Sequence, residues 1–182
     1  MLPEVIETDR LRLRPFSLED VEDVLSYASD PEWARHLGPV PQPYTRADAE
    51  GFLANQLSQD RTIRASWAIE YARSAVGGVN IGFDLENRVG TIGYSIARVL
   101  WGRGLVTEAA GAVIDASFAA DPDLNRIQAT THEQNAGSLR VMEKLGMVRE
   151  GLLRQDQYLR GKFRNTVWCG LLRCEWEALK QK

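Results

Sequence analysis

Hydrophobic positions along the chain alternate between a period of two and a period of three to four, and the changes of period mark out the elements. Arg10–Arg14 alternates polar and apolar as a half-exposed strand does. Ser17-Leu-Glu-Asp20 is a capping-box start, and Leu18, Val21, Val24, Leu25 and Ala28 then fall on one helical face. Asp30-Pro31 closes that helix, and Pro39, Pro41 and Pro43 prevent regular structure in the connection that follows. Thr45-Arg-Ala-Asp48 caps a second helix, with Phe52, Leu53 and Leu57 expected to point inward.

Period-two alternation returns in Trp67, Ile69 and Tyr71, in Val79, Ile81 and Phe83, and in Ile92, Tyr94 and Ile96 after the turn Glu86-Asn-Arg88. Three such runs predict an antiparallel meander. A helix beginning after Gly104 carries Leu105, Ala109, Ala112, Val113 and Ala116 on one face. Because Arg126–Thr131 follows a full helical crossover, it is expected to run parallel to the strand that precedes Gly104. A further helix runs from Ala136 to the C′ glycine Gly146. Val148–Leu159 and Phe163–Leu172, joined by Arg160-Gly-Lys162, are expected to form a closing hairpin. The product is an α+β fold, a mixed sheet with helices on both faces.

At 182 residues the chain is long enough for one domain with a real core and short for two, so residues 1–182 are read as a single domain. Hydrophobic residues at 44% and charged residues at 26% are those of a globular protein, and no apolar run reaches the roughly 18 residues of a membrane helix. The acidic N-terminus lacks a secretory pattern, which points to the cytoplasm. Cys169 and Cys174 lack metal-ligand spacing and are expected to be buried thiols, and no metal site is expected. A net charge of −3 without a block of Lys and Arg argues against a nucleic-acid partner.

Chemistry concentrates in two segments. From Tyr94 to Ala109 the chain reads as an apolar strand, a turn containing Gly102 and Gly104, and the first turn of a helix. Glycines there let the backbone approach a ligand, and the helix start offers unpaired NH groups and the positive end of its dipole, a site for phosphate. Asn135-Ala-Gly-Ser138-Leu-Arg-Val-Met-Glu-Lys144-Leu-Gly146 follows the strand Arg126–Thr131. In this order the two segments resemble the acetyl-CoA-binding core of the GNAT superfamily of N-acetyltransferases. Trp101-Gly-x-Gly104, Thr107-Glu-Ala109, Asn135-x-x-Ser138 and Lys144-Leu-Gly146 are similar to its ribosomal-protein N-terminal (RimJ/RimL-like) subfamily. The likeness runs from Glu7 to Trp176.

The resemblance implies a GNAT fold, mostly antiparallel, with one splayed parallel strand pair. The pantetheine arm of acetyl-CoA would lie between the strands ending at Ile96 and Thr131, and an amide near Ile96 would face the thioester carbonyl. The pyrophosphate would sit on the amides of Arg103, Gly104, Leu105, Val106 and Thr107. Trp101 stands where the superfamily often has Arg or Gln, and Val106 where Gly or Ala is common, so its branches are expected to crowd the phosphate or shift the backbone. Ser138 is expected near the coenzyme sulfur as proton donor and Asn135 on the pantetheine arm; on the residues alone, Asn135 is equally an N-cap and Ser138 a first-turn residue. Lys144 and Arg140 are placed within reach of the 3′-phosphate.

The acceptor end departs from the subfamily pattern. Trp33, Arg35, His36, Tyr94, Asp156 and Tyr158 are expected to wall the acceptor pocket. Where relatives of the subfamily have a carboxylate in the last hairpin this chain has Gln157, with Asp156 beside it, and Asn165 replaces an Asp. Asp156, Glu70, Glu133 and His36 are the remaining candidates for the base. An enzyme without a strong base favours an α-amino group, with a pKa near about 8, over a lysine at about 10.4. The expected function is therefore acetyl transfer from acetyl-CoA to a primary amine, a protein N-terminus first. Acetylation of a small amine and a non-catalytic acyl-CoA-binding module are the alternatives, and a homodimer is left open.

Overall fold

The computed structural model describes residues 1–38 and 40–181. In chain order the elements are β1 (Ile6–Glu7), β2 (Arg12–Arg14), α1 (Val21–Ala28), α2 (Pro31–Ala34), α3 (Arg46–Leu57), β3 (Arg64–Tyr71), β4 (Ser74–Asp84) and β5 (Val89–Ile96). They continue with α4 (Leu105–Ala120), β6 (Arg126–His132), α5 (Ala136–Lys144), β7 (Val148–Leu159), β8 (Lys162–Leu172) and α6 (Arg173–Lys180). One eight-stranded sheet has the order β1-β2-β3-β4-β5-β6-β8-β7. Only the β5/β6 pair is parallel, joined by the α4 crossover; every other pair is antiparallel.

Alternation along the strands sorts the core onto two faces. Trp67 and Ile69 of β3 pack with Leu105, Val113 and Phe118 of α4. Ala68, between them in sequence, joins Val24 of α1 and Leu53 of α3 in the other cluster. Helix starts follow the sequence signals: Ser17 and Thr45 form capping boxes with Asp20 and Asp48. Burying Asp20 is made tolerable by Arg14, whose guanidinium forks onto its carboxylate at 2.7 and 2.9 Å and reaches Glu70 at 2.5 Å. These paired carboxylates hold the Arg14 guanidinium well above its usual range, Asp20 contributing most.

Several local expectations are corrected. Leu18 and Leu57 are exposed, because one lies in the single 3-10 turn before α1 and the other in the last turn of α3, beyond the packed face. Asp30-Pro31 ends α1 and also opens α2, with Asp30 as N-cap and Pro31 in the first turn, so Trp33 is helical. Pro39 lies outside the described residues. Cys174 is exposed rather than buried, since the apolar run of β8 gives way at Arg173 to α6. The last helix is fixed by contacts distant in sequence: Trp176 stacks on Phe118 with centroids 5.0 Å apart and donates its indole N–H to Asp115 at 2.7 Å. Among the described residues no helix is long and apolar enough to cross a membrane.

Candidate active site

The parallel pair separates early. β5 and β6 are paired only through Val89–Thr91 and Arg126–Gln128. Beyond that point β5 continues on β4 as far as Ile96, and β6 continues on β8 as far as His132. Each strand keeps its outer neighbour and loses its inner one, so the facing edges open as a slot. A cleft of about 1330 Å³ passes through this opening, lined by Gly93, Tyr94 and Ser95 on one side and by Thr130, Thr131 and His132 on the other.

Gly77 brings β4 unusually close to the end of β5. A Cβ on it would lie 2.2 Å from the Ser95 carbonyl oxygen and 2.7 Å from the Ile96 Cα. After Ile96 the chain turns: the Trp101 indole N–H donates to the Ile96 carbonyl at 2.9 Å, which gives this residue a structural part in the turn. Gly102 and Gly104 both have positive φ, +77° and +76°, and α4 begins directly after them with no side-chain cap on its first amides. The side chain of Val106 is half-buried and packs against the core. Arg10, which sequence reading did not single out, ties this turn down. It donates to the Arg103 carbonyl at 3.0 Å and to Glu108 at 2.6 Å, while the Thr8 hydroxyl donates to Glu108 at 2.6 Å. Burial pushes the Glu108 carboxyl up, but the bonds from Thr8 and Arg10 outweigh it and hold the group below its usual range.

On the far side of the slot Asn135 caps α5: its Oδ1 accepts from the Ser138 amide at 3.2 Å and its Nδ2 donates to Thr131 at 3.0 Å. The local reading of Asn135 as a cap is thus realised. Ser138 lies in the first turn with its hydroxyl 3.0 Å from the Tyr94 hydroxyl. Burial pushes the Tyr94 phenol up to about 12, so it stays protonated at neutral pH. The same phenol donates to the Ser138 carbonyl at 3.3 Å, and between the two hydroxyls either can be the donor.

Trp33, His36, Tyr94, Asn135 and Ser138 therefore share one cleft. The glycine turn from Arg103 to Thr107 and the exposed Lys144 and Arg140 lie outside its lining. Tyr158 and Asp156 are also outside it, a correction with a specific cause. Residues 154–156 of β7 bulge opposite Asn165 alone, with Gln155 at φ +54° and its amide donating to Asn165 Oδ1 at 3.0 Å. The extra residues re-aim the strand, and Gln157 faces the cleft. Tyr158 packs on Phe163 in a tilted pair with centroids 5.0 Å apart and is exposed. Asn165 donates in turn to Glu133 at 2.9 Å, a bond that an aspartate there could not donate. Of the base candidates, Glu70 is committed to Arg14 and Glu133 to Asn165, leaving His36 in the cleft.

Sequence reading missed His132. It ends β6, is 6% exposed and lines the cleft, and its ring centroid is 6.3 Å from that of His36. Burial holds both imidazoles below the usual histidine range, with Arg164 adding to the effect on His132. The available signal was the run Thr131-His-Glu-Gln-Asn135, which puts a histidine at the open end of a splaying strand.

The acetyltransferase (GNAT) domain family matches residues 10–148. An uncharacterised N-acetyltransferase of Bacillus licheniformis, p20, is 32% identical over 95% of this chain and 98% of its own length. YdaF of Bacillus subtilis, provisionally named a ribosomal N-acetyltransferase, is 33% identical over 71% of this chain and 79% of its own. In three dimensions the chain superposes on RimL, a ribosomal L7/L12 α-N-protein acetyltransferase solved with coenzyme A. The TM-score is 0.84, with 94% of this chain and 99% of that one covered at 18% identity, a likeness of fold.

Proposed function

The chain belongs to the GNAT family of N-acetyltransferases, and on that premise we propose that it transfers the acetyl group of acetyl-CoA to a primary amine, a protein N-terminal α-amino group first. The opening between β5 and β6, with the Ser138–Tyr94 hydroxyl pair at its side, carries this reading. Extended backbone edges suit the amide-bearing pantetheine arm, which would lie between them as an added strand. The glycine turn and uncapped start of α4 suit the pyrophosphate. A β5 amide near Ile96 would stabilise the oxyanion formed when the amine attacks the thioester, an effect worth a few kcal/mol in other enzymes.

The charge in the cleft favours an acceptor with a single amine over a polycation. Asp48 and Asp84 line it at the α3 start and the β4 end, where bonds from Thr45 and Asn87 hold them as anions. The acceptor end is instead set with His36 and His132, with Arg35 and Arg164 close enough to depress their protonation. At that end the one nearby carboxylate, Asp156, is offset by Arg164, so a polyamine or aminoglycoside would meet little net negative charge there. The test is competition, read by mass spectrometry, between lysine-containing peptides with free and with blocked N-termini, with spermine as a third acceptor. Acetylation of the free α-amino group is expected; preference for the blocked peptide or for spermine would overturn the assignment of acceptor.

Ser138→Ala should lower turnover about 10-fold, the low end of general acid catalysis because a CoA thiolate leaves readily, and leave the acetyl-CoA Kd nearly unchanged. Tyr94→Phe should act in the same direction and more weakly, since it only orients the serine. Single-turnover rates beside calorimetric Kd values check both, and an unaltered chemical step in Ser138→Ala would reduce Ser138 to a helix residue.

A further inference from the structure

Buried polar atoms in folded proteins are nearly always paired, and each exception asks for a partner. Three exceptions line this one cleft. His132 Nδ1, Thr166 Oγ1 and Trp33 Nε1 are all buried without a hydrogen-bond partner among the described residues. His132 and Thr166 face each other directly in the β6/β8 ladder, and opposed residues of an antiparallel pair project on the same face. His36 lies across from His132 at 6.3 Å between ring centroids, too far for a direct bond and wide enough for one water or amine nitrogen to bond both rings. The Asp30–Arg98 ion pair at 2.5 Å joins the start of α2, just before Trp33 and His36, to the turn that follows β5.

Resting on the acetyltransferase reading above, we propose that His132, Thr166 and Trp33 are the acceptor subsite and that His132 takes the proton of the attacking amine. The bound ammonium gives one proton to His132, directly or through one water. The freed nitrogen lone pair then forms the C–N bond at the thioester carbonyl, and the C–S bond breaks as the oxyanion collapses. A second proton leaves the nitrogen, and one reaches the departing sulfur through Ser138. His132 returns its proton to solvent, so acetyl-CoA and an ammonium yield an amide, a free thiol and one proton. Thr166 accepts from or donates to the amine or the bridging water, and the Trp33 N–H fits a carbonyl of the acceptor.

The surroundings suit a histidine that is neutral before the reaction. Arg164 on β8 opposes its protonation, Asp156 on the β7 bulge favours it, and His36 faces it beside Arg35. Burial outweighs the carboxylate and keeps His132 neutral. A neutral imidazole is the form that can accept a proton, and its supply is complete above its lowered pKa.

The experiment uses the intact enzyme with acetyl-CoA and a peptide bearing a free N-terminus. In the wild type kcat should rise through a limb below about pH 6.5 and then level; in His132→Ala it should fall roughly 100-fold and its limb move toward the amine at about 8. Added imidazole should restore activity to His132→Ala in proportion to its free-base fraction, an effect a purely structural residue would not show. Unchanged pH dependence, or loss of activity without imidazole rescue in a variant that still binds acetyl-CoA, overturns the proposal. Should His132→Ala fail to fold, the wild type decides, because the protein has only 2 histidines. Imidazole 15N signals should show both histidines neutral at pH 7 and at least one of them shifting on peptide binding, and a pair indifferent to peptide overturns the proposal. An inactive wild type would instead defeat the acetyltransferase reading itself.

Discussion

Replacing Gly104 by aspartate should weaken acetyl-CoA binding about 200-fold and leave the protein folded. Gly104 has φ +76° and stands at the N-cap of α4. Asp tolerates that left-handed conformation better than most residues, and a Cβ there meets only the flexible Arg10 guanidinium at 3.7 Å. The substitution therefore costs the fold little, about 1 kcal/mol. For the ligand it places a fixed negative charge where pyrophosphate is proposed to sit. Two unit charges about 5 Å apart at an effective dielectric of about 20 repel by roughly 3 kcal/mol, which is close to the predicted loss of affinity. Titration calorimetry beside thermal melting separates the two effects, and wild-type affinity in a folded Gly104→Asp variant would move the pyrophosphate elsewhere.

Gly77→Ala should be the most damaging single-methyl change in the sheet. Its Cβ would overlap the backbone of Ser95 and Ile96 at 2.2 and 2.7 Å, contacts that no side-chain rotation relieves. The β4/β5 pair must separate at the end that bears the proposed oxyanion amide. Overpacking of this kind costs about 3 kcal/mol, and a displacement of about 1 Å in a reacting geometry costs about 100-fold in rate. Denaturant melts and turnover of the folded fraction read the two losses separately. Gly78→Ala is the control: its Cβ meets the Phe16 ring edge at 3.0 Å, a side chain that can give, so the loss should be smaller. Equal losses in the two variants would show that the approach of β4 to Ile96 has no special part.

The element order was legible because it is written in short-range periodicity. Ser17, Thr45 and Asn135 were readable as caps, and the structure places each of them there. The parallel β5/β6 pair followed from a crossover long enough to hold α4. What failed locally failed for a physical reason. The bulge in β7 depends on Asn165, ten residues away from Gln155, so alternation continued through Gln155 and Asp156 put the wrong side chains in the cleft. Cys174 read as buried because an apolar run carries no mark of where a strand becomes a helix, and α6 is held by Phe118 and Asp115 on α4.

By itself, the sequence determined an acetyl-CoA-type frame: a glycine turn opening a helix and a capped serine on the next one, each specified by residues within one turn of each other. Tertiary structure alone decided the acceptor end. His36 and His132 are far apart in the chain and are brought together by the fold, where Asp30 at the start of α2 pairs with Arg98 in the turn after β5 and β6 continues on β8 after leaving β5. A cap or a turn is fixed by bonds the backbone makes to its own neighbours, whereas the fate of a buried imidazole depends on which polar atoms the rest of the fold brings to it, and here the fold leaves its Nδ1 without one.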